Sequence, residues 1–178
     1  LKNSHIRYDF NNRLTVAPVL AYHFNENTSL TVEYTYQSMS MAMIGAANVF
    51  SPKKYGELPK NFSTLEPNLA PTTIQDQSLF VTGKHRINDQ WKFTAQLAYL
   101  NYNQTGSSMW LSDMQPNGDI VRSISNWDAF NESRLGQAFL NGELITGTIK
   151  HKVLTGLDMG YKNYYADFYQ TSLLGGFD

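Results

Sequence analysis

The side chains of this chain that could do chemistry point to binding, not to bond-making. The four histidines, His5, His23, His85 and His151, show no metal-ligand spacing, and the absence of cysteine excludes disulfides and thiolate metal sites. Met39-x-Met41-x-Met43 sets three thioethers at alternate positions, a donor set that suits a soft metal such as Cu(I). No Gly-x-Ser-x-Gly elbow, phosphate loop or His-Glu-x-x-His is present. No catalytic residue is assigned, and no enzymatic activity or cofactor is expected. Tyr55, Phe62, Trp110, Arg122 and Trp127 stand out as candidate ligand contacts, because all five fall in long irregular stretches. Aromatic rings offer flat contact area and arginine a charge-assisted donor to an anionic ligand. Binding side chains concentrate on loops held by a rigid scaffold.

That scaffold reads as strands. Over residues 13–24 Leu14, Val16, Pro18, Leu20, Tyr22 and Phe24 take every even position. Leu30, Val32, Tyr34 and Tyr36 do the same in the next run, with Thr31, Glu33, Thr35 and Gln37 between them. Successive strand residues face opposite ways, so the spacing predicts a hairpin with one apolar and one mostly polar face, joined at Asn25-Glu26-Asn27. Two further hairpins follow: 76–88 with 91–104 across Asn88-Asp89-Gln90, and 132–146 with 150–165 across Gly147-Thr148. Segments 45–75 and 105–131 show no strand pattern and are expected as long loops. Pro18 in mid-strand is awkward, because it offers no ladder hydrogen bond.

Composition narrows the class. With 14 Lys+Arg against 15 Asp+Glu the net charge is -1, so there is no basic surface for nucleic acid. Aromatics reach 13%, a strand-rich and interface-rich signature. No apolar run approaches the length of a membrane-spanning helix, which says nothing against a membrane barrel, whose strands alternate. The predicted arms are as long as bilayer-spanning strands, about 9–11 tilted residues.

Connections alternate short and long along the chain, the asymmetry of an outer-membrane barrel with tight periplasmic turns and large extracellular loops. The predicted fold is therefore all-β: an antiparallel transmembrane β-barrel segment of about six strands, fewer than the roughly eight of the smallest membrane barrels. Open edges are not tolerated in lipid, so residues 1–178 are expected to be one partial barrel domain of a larger barrel. On the strand parity, Glu33, Lys84, Arg86, Lys92, Gln96, Glu143, Asp158 and Lys162 would face the lumen. Met39, Met41 and Met43 would face lipid at the upper end of their strand. Lys84-His85-Arg86 and Lys150-His151-Lys152 flank short turns, where they either meet anionic headgroups or stand as solvated charges.

Several stretches resemble barrel hairpins of TonB-dependent siderophore receptors. They are Val16-Ala17-Pro18-Val19-Leu20 with Asn27-Thr28-Ser29-Leu30-Thr31, and Leu58-Pro59-Lys60-Asn61-Phe62 with Pro71-Thr72-Thr73. Trp91-Lys92-Phe93-Thr94-Ala95-Gln96 leading to Tyr102-Asn103-Gln104-Thr105-Gly106-Ser107-Ser108 is similar, as is Phe139-Leu140-Asn141-Gly142-Glu143 with Gly156-Leu157-Asp158-Met159-Gly160. The resemblance implies a barrel of about 22 strands in the Gram-negative cell outer membrane. It also implies a plug domain, a signal peptide and a TonB box upstream of these residues. The implied partners are a ferric siderophore, outer-membrane lipid and TonB, with iron entering only as part of the substrate. Three rivals remain: a secreted soluble β-sandwich that binds carbohydrate or protein, a passive outer-membrane channel, and an outer-membrane enzyme.

Overall fold

The structure, a computed structural model, describes residues 4–43, 51, 54, 56–167 and 171–174. One antiparallel sheet carries β1 (Asn11–Val16), β2 (Val19–Asn25), β3 (Thr28–Met41), β4 (Thr72–Arg86), β5 (Trp91–Thr105), β8 (Asp128–Thr146) and β9 (Ile149–Asp167). Its order is β1-β3-β4-β5-β8-β9, with β2 also on β3. A second sheet of three strands, in the order β10-β7-β6, holds β6 (Ser107–Met114), β7 (Ile120–Asn126) and β10 (Thr171–Leu174).

β1 and β2 form a single edge lane. Val16 pairs with Tyr36 and Val19 with Glu33, so the register runs unbroken through the gap. The gap is chemical: Pro18 accepts a bond from the Tyr34 N–H (3.1 Å) but has no N–H to return. The large sheet thus has the six lanes that the alternation predicts. The tight turns match as well. The Asn88 side chain accepts from the amides of Gln90 and Trp91, both at 2.9 Å, and Gly147 takes a φ of 61° in the turn between β8 and β9.

The long connections are where the structure departs from expectation. The third lane starts at Thr72, not at residue 76, because residues 72–75 continue the ladder onto Ser38–Met41. The stretch 105–131, expected as a loop, is mostly strand. Gln104 pairs with Ala129 and Ser107 with Asn126 in one continuous register, so β5–β6 and β7–β8 are a single long hairpin that bends at Gly106 and Trp127. The Trp127 N–H donates to the Gly106 carbonyl (2.7 Å) at the corner. Gly106 has a φ of 125°, and a Cβ there would lie 2.5 Å from the Pro71 carbonyl oxygen. Only glycine lets the hairpin bend this close to the start of β4.

The sheet is a single layer with two unlike sides. One side carries Leu20, Leu97 and Leu157, at 69%, 64% and 76% exposure. Among the described residues no second apolar layer opposes this side to seal a dry interior, so the β-sandwich reading falls. The other side is polar, and the recesses of the sheet open on it. The apolar band does not run level across the register. Leu14 shares a row with Ser38, Gln75 and Asn103, whereas near the other edge apolar side chains continue down to Leu144 beside the short turn. Such a drift is what strands tilted against a flat apolar layer produce.

Candidate functional site

Two places gather the polar and aromatic side chains. The first is the polar, concave side of the large sheet. Antiparallel pairing places Glu33, Lys84, Arg86, Lys92, Gln96, Glu143, Asp158 and Lys162 on this one side. At its centre the Gln137 amide donates to Gln96 Oε1 (2.7 Å), and the Gln96 amide donates to Thr82 Oγ1 (2.9 Å). Thr31 and Asp158 extend that row by register. A recess of about 370 Å³ beside it is lined by Glu33, Lys84, Thr94 and Phe139 among others. Such a wall can hydrogen-bond a polar filler. Among the described residues no three His, Asp or Glu side chains converge as metal ligands.

At the short-turn rim Lys150 Nζ sits 2.7 Å from Glu143 Oε2. Arg86 donates to Asn27 Oδ1 at 2.7 Å.

The second place is the long-loop end. Ala42, Met43, Leu65 and Met109 are buried together, with Phe10, Leu69 and Ile124 packed against them. These residues come from the entry to β1, the exit of β3, the segment before β4 and the β6–β7 arm. The loops therefore share one small core. Arg122 pins it: Nη1 donates to the Thr64 carbonyl (2.7 Å), and Nη2 donates to Glu66 Oε1 (2.8 Å).

The five loop candidates are thus dispersed. Arg122 is buried at 5% exposure and engaged with Thr64 and Glu66, instead of standing open to a ligand. Tyr55 lies outside the described residues. Phe62 and Trp127 are half-buried, the latter at the hairpin corner. Trp110 is 46% exposed, and lies across Ser123 from the exposed Leu173.

The methionine stripe is a correction. Met39 pairs with Ile74 and Met41 with Thr72, on the side of Glu33, so neither shares the face of Leu30 and Val32. Arg13 Nη2 approaches the Met39 sulfur at 3.0 Å, and Met43 is buried in the loop core. The stripe turns inward because the loops cover the concave side at that end, which makes apolar packing available there.

Glu66 and Met109 went unmarked in the sequence. The alternation of Ser-Ser-Met-Trp-Leu and Ile-Val-Arg-Ser-Ile around Pro116-Asn117-Gly118-Asp119 is a hairpin signal that would have found the arm.

A single tilted layer, apolar outside and polar inside, with tight turns at one rim and packed loops at the other, defines a segment of an outer-membrane β-barrel. No protein-family model matches the chain. Over 156 residues it is 27% identical to the metal-pseudopaline receptor of Pseudomonas aeruginosa (strain UCBPP-PA14), covering 87% of this chain and 22% of that protein. It is 28% identical over 169 residues to the ferrioxamine receptor of Yersinia enterocolitica, covering 88% and 23%. The fold superposes on the ferripyoverdine receptor of the outer membrane of Pseudomonas aeruginosa bound to ferripyoverdine, with a TM-score of 0.71 at 15% identity over 96% of this chain and 24% of that one. The complex of FpvAI with pyocin S2 gives a TM-score of 0.72 at 13% identity with the same coverage. The chain spans less than a quarter of the length of these relatives. The chain is thus similar in sequence and fold to a segment of such outer-membrane receptors.

Proposed function

We propose that these residues form part of the barrel wall and outer loops of a receptor that captures a ferric siderophore, or a related metal chelate, and imports it. The similarity over 87% of the chain to a receptor named for a metal chelate is the observation that carries this reading. The loop core supports it: four chain segments packed as one unit form a preorganised rim, which lowers the ordering cost of binding. Trp110 is the side chain assigned to the chelate. Arg122 acts behind it by holding the arm in place.

The concave polar wall, in this reading, faces a plug supplied by parts of the receptor outside residues 1–178. Those parts also contact TonB, and the apolar convex side meets lipid. The function is capture and transport, with no bond made or broken by these residues.

The test is a fluorescence titration of the full-length receptor with a panel of ferric chelates, ferrioxamine and pyoverdine included. Saturable quenching by one chelate is expected, weakened about tenfold in Trp110→Ala. No saturable binding to any chelate, with the receptor folded, would overturn the reading.

A further inference from the structure

We infer that the concave wall just beneath the long loops takes a protonated amine of the captured chelate, so that the cargo is a ferric chelate carrying a free ammonium group. The inference deepens the import reading proposed above and rests on it.

Antiparallel pairing sets one polar row across the concave side. Gln37, Asp76, Tyr102, Asn131 and Tyr164 follow one another on β3, β4, β5, β8 and β9. One row nearer the loops, Ile74 and Gln104 are covered, at 8% and 6% exposure. The polar row lies directly beneath that cover, at the mouth of the wall.

Asp76 is the one charged group in this row. It is half-buried, and among the described residues no hydrogen bond or ion pair reaches its carboxylate. Taking a carboxylate part-way out of water costs free energy unless a cation or donors compensate. The cations of the wall are engaged elsewhere or too distant. Arg13, the nearest by register, places Nη2 at the Met39 sulfur (3.0 Å). Lys162 holds its ammonium 5.4 Å from the centre of the Tyr164 ring, three lanes from Asp76. Three lanes span about 15 Å, well over the roughly 8 Å reach of a charge in physiological salt.

The neighbours of Asp76 suit an ammonium. Tyr102 faces it directly across the pairing, with Cβ atoms about 5 Å apart. The Tyr102 hydroxyl donates to Gln104 Oε1, and the Gln104 amide donates to the Trp127 carbonyl (3.4 Å). With its proton so used, the phenol oxygen is left as an acceptor, and the ring offers a π face. Gln37, on the other side of Asp76, adds an amide oxygen that keeps a second lone pair beside the Thr15 hydroxyl (3.5 Å). A carboxylate, a phenol oxygen and an amide oxygen match the three N–H donors of one ammonium. The Gln104 link also ties this row to the corner from which the Trp110 arm rises, so both contacts belong to one site.

The row offers no cation to the oxygens of an anionic chelate. Three hydroxamate anions balance ferric iron and leave an uncharged core, so a pendant amine then supplies the charge that Asp76 lacks.

The experiment is a fluorescence titration of the full-length receptor with a linear ferric trihydroxamate ending in a free amine and with its N-acetyl derivative. The two probes share the iron core and differ by one charge. Wild type is expected to bind the free amine about tenfold tighter. Asp76→Asn should remove that difference by weakening the amine form alone, and Tyr102→Phe should narrow it. Equal affinity of wild type for the two probes would overturn the inference, and this comparison needs no variant to fold. So would a preference unchanged in Asp76→Asn, or both probes weakened alike, which would assign the carboxylate to another part of the receptor. Saturable binding of an anionic ferric tris-catecholate, with neither trihydroxamate bound, would sink the inference while chelate import stands. Binding of no chelate at all would remove the import reading beneath it.

Discussion

Removing Glu66 or Arg122 is expected to release the β6–β7 arm without unfolding the barrel wall. The Arg122 side chain is 6% exposed and that of Glu66 29%. Arg122→Ala deletes the buried guanidinium bonds to Thr64 and Glu66, at a cost of about 2–3 kcal/mol. Glu66→Ala leaves the guanidinium its bond to Thr64, and solvent screens part of the lost pair, so about 1–2 kcal/mol is expected. The double variant should cost less than the sum, with a coupling of about 1 kcal/mol. Amide hydrogen exchange in the full-length receptor reads these values directly. A loss of about 2 kcal/mol raises the open population roughly thirtyfold, seen as faster exchange over residues 107–126. Exchange in β4 and β9 should stay as in wild type. Additive single effects, or arm protection that does not change in Arg122→Ala, would refute the view that this pair holds the loops together.

Three further outcomes follow from the same geometry. Leu157→Arg, on the apolar convex side, should lower folding stability in bilayers by about 2–4 kcal/mol, whereas Gln96→Leu on the concave side should cost much less; urea titration of vesicle-refolded receptor separates them. Gly106→Ala should displace the arm, because its Cβ would overlap the backbone at Pro71 and Thr72; faster proteolytic cleavage within residues 107–126 is the expected readout, and wild-type resistance would count against the corner. Gly142 pairs with Trp91 and lies under its indole, where an added Cβ would fall inside the ring contact distance. Gly142→Ala should therefore swing the ring away, shift its fluorescence and cost about 1 kcal/mol.

Strand parity was legible in the sequence, because a side-chain period of two is a local property. Alternation alone placed Glu33, Lys84, Gln96 and Asp158 together on one side, and the paired register agrees. It also gave the lanes and the tight turns, whose Asn and Gly residues act within a few positions of themselves. Proline density in 45–75 obscures the start of β4, and the Pro-Asn-Gly turn of the arm reads as irregular chain.

Residue spacing alone therefore sets the two-sidedness of each strand, and from it an open layer that must border an apolar medium. The roles of Arg122 and the methionines depend on long-range packing. Arg122 meets Thr64 across 58 positions of chain, and Met43 meets Met109 where two loops cross. Such contacts depend on how far each hairpin rises and where it bends, and no local pattern encodes the meeting point of two segments so far apart.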